Sequence, residues 1–99
     1  MNLDRLKQND FIHVYYIYDE LNIDTNEIED VHVYYNGYFR GIDDKNEWLN
    51  IQDGNYEVTF VNNEVKTGSI SSYEVPLWLK PTVICKRILL DDITPLFSL

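Results

Sequence analysis

The sequence predicts a mainly β domain, or a β-rich α+β one. Five to seven short antiparallel strands would form a small open barrel or curled sheet, with room for a short N-terminal helix. Three observations carry this. The 99 residues include no alanine, the best helix former. Val and Ile together number 18, and Phe, Trp and Tyr number 14, residues that suit a pleated, half-buried surface. Turn residues also recur at short intervals between apolar runs. The length fits one small domain spanning 1–99, with one modest core.

In chain order, Asn2–Gln8 reads as a turn or two of helix with Asn2 as cap and Leu3 and Leu6 on one side. Phe11–Tyr18 is an apolar-aromatic run of strand length, and Val31–Phe39 is a second. Asn36–Gly37 sits inside the second run; as the preferred centre of a tight hairpin turn it predicts a fold-back pairing Val33–Tyr35 with Tyr38–Arg40. Trp48–Ile51 reads as a short strand closed by Asp53–Gly54. Tyr56–Val61 and Glu64–Ile70 read as the arms of a hairpin about Asn62–Asn63, with Tyr56, Val58 and Phe60 alternating on one face. A two-residue turn there would set Thr59 opposite Lys66 and Phe60 opposite Val65. Ser72–Val75 is a further short strand stopped by Pro76. "PLWLKP" reads as extended or irregular, and Thr82–Leu90 as a last long strand. The tail places Leu96, Phe97 and Leu99 where they would cap the core or reach a partner.

The single cysteine, Cys85, excludes an internal disulfide and a Cys-rich zinc site, and its apolar surroundings predict a buried thiol. No apolar run is long enough for a membrane helix and the start shows no secretory h-region, so a cytoplasmic protein is expected. Seventeen acids against eight bases leave a net charge of −9. Such a surface repels nucleic acid and anionic lipid and attracts basic partners.

Two near-identical pentapeptides, "IHVYY" at Ile12–Tyr16 and "VHVYY" at Val31–Tyr35, look most like chemistry. Strand alternation sends His13, Tyr15, His32 and Tyr34 to one face if the strands are neighbours. Two histidines do not make a zinc site without further ligands, so no metal and no cofactor are expected. The similarity stops at the pentapeptides, as expected of two strands of like composition.

"DELNIDTNEIED", Asp19–Asp30, holds six acids in twelve residues and no base. No glycine falls where an EF-hand needs one. The segment reads as a solvated acidic loop or, if extended, as an imitation of a phosphate row, since alternate strand residues and alternate phosphates both repeat at roughly 6.8 Å. Asp43, Asp44 and Glu47 form a second acidic group, which would do acid–base work only in a pocket that shifts their pKa values. His13 or His32 beside Ser69, Ser71, Ser72 or Cys85 would be the raw material of a nucleophile–base pair. No nucleophile elbow or phosphate loop accompanies them, and no enzyme is expected.

The expectation is a small acidic inhibitor that docks on, and blocks, a basic nucleic-acid-binding surface of a target such as a nuclease. Asp19, Glu20, Asp24, Glu27, Glu29 and Asp30 would speed and orient the encounter, and Tyr34, Tyr35, Tyr38 and Phe39 would supply contact area. In type this resembles phage anti-defence, anti-CRISPR and toxin-immunity proteins. Two alternatives remain: a small-ligand binder with His13, Tyr15, His32 and Tyr34 lining a pocket, and an assembly protein using strand edges or the "PLFSL" tail.

Overall fold

The computed structural model describes residues 3–91. Five antiparallel strands form one open sheet: β1 (Phe11–Asn22), β2 (Glu27–Ile42), β3 (Trp48–Thr59), β4 (Val65–Pro76) and β5 (Thr82–Cys85), in spatial order β4-β3-β2-β1-β5. Helix α1 (Lys86–Asp91) follows, and 3₁₀ turns occupy Leu3–Arg5 and Leu77–Leu79. Asn2 and the tail residues Leu96, Phe97 and Leu99 lie outside the described residues.

The strands are fewer and longer than the turn signals suggest, and the reason is steric. Asn36–Gly37 makes no turn; β2 runs straight through it. Asp53–Gly54 does not end a strand either; it forms a bulge inside β3 opposite Asn36–Tyr38. Asp53 takes the left-handed φ of 55°, and Gly54 is there because β2 and β3 nearly touch. A Cβ on Gly54 would overlap the carbonyl oxygen of Asn36, and one on Gly37 would sit 2.8 Å from the carbonyl oxygen of Gln52. Glycine here serves close backbone approach rather than a reverse turn. The Glu64–Ile70 and Ser72–Val75 segments likewise belong to one strand, β4.

Other differences are local. The Thr82–Leu90 segment divides: β5 ends at Cys85 and Lys86–Asp91 coil into helix, where Lys, Arg and Leu are good formers and Ile88 drops into the core. "PLWLKP" contains a 3₁₀ turn closed by Lys80 at φ 52°. The β3–β4 hairpin uses a three-residue loop, Val61–Asn63, with Asn63 at φ 64° and Phe60 N donating to Glu64 O at 2.8 Å. The register therefore sets Thr59 opposite Val65 and Val58 opposite Lys66, one step from the two-residue expectation.

The core is the inner face of the curled sheet. Ile12, Val14 and Tyr16 from β1, Val31, Val33 and Phe39 from β2, Leu49 and Ile51 from β3, Val75, Val83 and Cys85 are all buried. The curl brings Tyr16 of β1 to Tyr73 of β4 across two intervening strands, their hydroxyls 2.7 Å apart. Leu6 and Ile88 fill one end. That end is tied by Asp10: its carboxylate accepts from Arg87 Nε and Nη2, each at 2.7 Å, and from Lys7 N at 2.8 Å. Arg87 also donates to the carbonyl of Arg5 at 2.8 Å, so the N-terminal turn, β1 and α1 meet at one ion pair.

Gly54→Ala should lower unfolding free energy by about 2–3 kcal/mol, the cost of overpacking a tight site, measured by denaturant titration. Arg87→Met should cost about 2–3 kcal/mol, below the range for fully buried pairs because the Arg87 side chain is 34% exposed. The bonds from Arg87 hold the Asp10 carboxyl below its ordinary value. The stabilisation is thus complete above about pH 4 and lost as pH falls through the lowered value. Acid-unfolding curves of the native protein should show this dependence and those of Arg87→Met should lose it.

Candidate functional site

The outer face of the sheet carries two distinct surfaces. One is the far end of the β1–β2 hairpin. β5 pairs with β1 only over Ile12–Tyr15, and β3 ends at Thr59, opposite His32. Residues 18–31 therefore continue as a two-stranded ribbon beyond the rest of the sheet. Among the described residues neither of its edges has a further strand. The acidic segment is strand rather than loop, apart from Ile23–Asn26. There Asn22 accepts the amides of Asp24 and Thr25 through Oδ1, and Asn26 takes φ 59°.

Register divides the six acids. Asp19 faces Asp30 on the outer side, and Glu20 faces Glu29 on the inner side with Glu27 two residues on. Asp24 is in the turn. Glu27 and Glu29 keep the alternate spacing of a phosphate row, but the acids clothe both sides of a blade instead of lining one track. The hydrogen bond between Asp19 and Asp30 raises the Asp19 pKa, with their mutual repulsion adding to it. Between the acids lie exposed aliphatics, Leu21, Ile23 and Ile28, and Ile23 is 85% exposed. The inner side is partly backed by the β3–β4 turn, where Phe60, Val61 and Lys66 approach Glu20–Asp24.

The second surface is a groove of about 820 Å³ crossing the middle of the sheet. Cross-strand register builds it from two adjacent rows. One runs Ile84, His13, Asn36, Asn55; the other runs Thr82, Tyr15, Tyr34, Glu57, Thr67. Tyr15 and Tyr34 stack with centroids 4.6 Å apart. The Tyr15 hydroxyl lies 2.7 Å from His32 Nδ1, a bond that fixes both side chains. Partial burial, with Tyr34 and Asp30 adding, raises the Tyr15 pKa, so the phenol stays protonated. Asn36 Oδ1 accepts the Asn55 amide at 3.2 Å. The two pentapeptides thus do lie on neighbouring strands, and they do bring His13, Tyr15, His32 and Tyr34 to one face, although His32 lies beyond the groove.

The expected aromatic contacts divide. Tyr34 and Tyr38 are exposed on the outer face, with Phe11 edge-on to Tyr38 at 5.3 Å. Phe39 is in the core, and Tyr35 packs inward, stacked on Tyr73 at 4.0 Å. Asp43 caps the β2–β3 loop, accepting from Glu47 N at 2.7 Å and Trp48 N at 2.8 Å, bonds that lower its pKa; Asp44 and Glu47 lie exposed beside it. Cys85 is buried. His32 bonds a tyrosine, and two strands separate His13 from Ser69 along its row. Among the described residues no three His, Cys, Asp or Glu side chains group as metal ligands, and no helix is long and apolar enough to cross a membrane. Sequence reasoning missed Glu57, Asn36 and Asn55 in the groove and Leu21 and Ile28 on the ribbon. Alternation carried outward from Tyr15 and Tyr34 would have found them had the register been known.

Comparison with protein-family models, curated proteins and solved structures finds no match.

Asp30→Asn should return the Asp19 titration to the ordinary carboxylate range or below, read by carboxyl-carbon NMR. The sign on stability is opposite to that of Asp10. The raised Asp19 value means that protonating it in mild acid relieves repulsion in the folded ribbon.

Proposed function

We propose that this protein is a binding module whose acidic ribbon docks on a basic, nucleic-acid-binding surface of a partner protein and blocks it. The observation that carries this reading is the composition of residues 18–31. Six acids and three exposed aliphatics share a two-stranded blade without a single base, beyond the edge of the packed sheet. Exposed acids raise the encounter rate with a basic groove and orient the approach. Affinity then needs desolvated apolar contact, which Leu21, Ile23 and Ile28 offer at the tip and Tyr34 and Tyr38 offer nearer the sheet. A net charge of −9 favours such partners over nucleic acid itself. Phage anti-defence, anti-CRISPR and toxin-immunity inhibitors are the functional class in which this chemistry would be used.

The test is capture from a bacterial lysate at low salt, comparing the native chain with one in which the six ribbon acids are changed to Asn or Gln. A basic nucleic-acid-binding protein should be retained by the first and lost by the second, and its activity should be inhibited by the native chain. Raising salt from about 0.05 M to 0.3 M should weaken binding at least several-fold, as expected for exposed charges screened over about 10 Å or less. Ile28→Ser should weaken binding at every salt concentration without changing the slope. Equal capture by native and neutralised proteins would sink the reading.

A further inference from the structure

We infer that the groove across the outer face is a small-molecule site for a planar aromatic compound carrying a positive charge. Its volume of about 820 Å³ lies within the 300–1,000 Å³ of ordinary ligand sites, well above a surface dimple. The geometry is that of a trough between two cross-strand rows. On one side the stacked rings of Tyr15 and Tyr34 stand next to the Glu57 carboxylate, Tyr34 and Glu57 being direct cross-strand partners. On the other side Asn36 and Asn55 present side-chain amides, that of Asn36 held in place because its Oδ1 accepts the Asn55 backbone N–H. Ile84 of β5 contributes an apolar end.

The charge of the occupant follows from what lines the trough. Neither Lys nor Arg is among the lining residues, so an anion has no counter-charge there, and the net charge of the chain opposes its arrival. A cation finds both a carboxylate and the electron-rich faces of tyrosines, the combination by which aromatic sites select ammonium groups. A planar ring is favoured because the Tyr15–Tyr34 pair is already ordered. The 2.7 Å contact to His32 and the stacking fix Tyr15 before any ligand arrives, so little side-chain entropy remains to be lost. The ribbon contributes no residue to the groove, and the docking reading shares only Tyr34 with it.

The test uses three probes with the same ring: tryptamine (cationic), 3-methylindole (neutral) and indole-3-propionate (anionic), each titrated into the full chain by amide NMR. Tryptamine should saturate shifts at Tyr15, Tyr34, Asn55, Glu57 and Thr67. It should bind about threefold to fivefold more tightly than 3-methylindole, the scale of an exposed cation–π contact, and indole-3-propionate should bind weakest. Glu57→Gln, at an exposed position, should reduce the advantage of tryptamine to the part due to the tyrosine faces while leaving 3-methylindole binding in place. Tyr34→Leu should weaken both. Changing the six ribbon acids should leave tryptamine shifts confined to the groove, which separates this result from any failure of the docking reading. The inference is overturned if no probe saturates, if tryptamine shifts track the acidic ribbon instead, or if its advantage is undiminished by Glu57→Gln.

Discussion

A single antiparallel sheet has an apolar face to bury and, among the described residues, no second layer of comparable size to bury it against. The only helix among the described elements is six residues long. The sheet therefore has to cover itself, and the close contact of β2 and β3 at Gly37 and Gly54 is the point at which it bends. With Asp53 left-handed, the inward residues of β3 change parity, from Leu49 and Ile51 before the bulge to Val58 after it, and β4 follows from Tyr73 to Ile70. The bend lets Tyr16 reach Tyr73, so the core closes by contact between strands that are not neighbours. The remaining opening is filled from both termini by Leu6 and Ile88, which the Asp10–Arg87 pair holds together.

That constraint explains which parts of the fold could be read in advance. Alternation along β1 and β2 identified Ile12, Val14 and Val33 as one face and His13, Tyr15, His32 and Tyr34 as the other, because period-2 geometry is local. The β-rich class and the buried Cys85 followed from composition. What could not be read were the two glycine-containing dipeptides. Asn36–Gly37 and Asp53–Gly54 have the chemistry of turns, but Gly37 and Gly54 are required because another strand passes too close for a Cβ. That neighbour is distant in sequence. The end of β5 was hidden for a related reason: Lys86–Leu90 turns into helix so that Arg87 can meet Asp10, 77 positions earlier.

The candidate surfaces were legible to different degrees. The acids of the ribbon were visible as composition, while their division between two faces needed the Asp19–Asp30 register. Tyr34 and Tyr38 lie outward as a contact surface requires, whereas Tyr35 and Phe39, one position along from them, belong to the core by the same alternation. Glu57 carries no signal in its own neighbourhood. Only pairing with Tyr34 makes it part of a site.

The ribbon itself is built against its own stability. Asp19 faces Asp30 and Glu20 faces Glu29, two like-charged pairs directly across the strands, an arrangement that disfavours pairing. The raised pKa of Asp19 reflects that pairing, through the hydrogen bond to Asp30 first, then desolvation, with the charge repulsion adding to both. Among the described residues neither edge of the ribbon gains a further strand, and the turn is held by short-range bonds, from Asp24 and Thr25 to the Asn22 side chain and from Asn26 N to Asn22 O. A cationic surface brought against this ribbon would neutralise the facing carboxylates as well as make its own contacts. Under the docking reading the partner thus relieves a repulsion that the free protein carries. Changing Asp30 alone to Asn would then stabilise the free ribbon while weakening the complex, so stability and affinity would move in opposite directions. A ribbon whose acids served only solubility would gain stability from that change and lose no affinity.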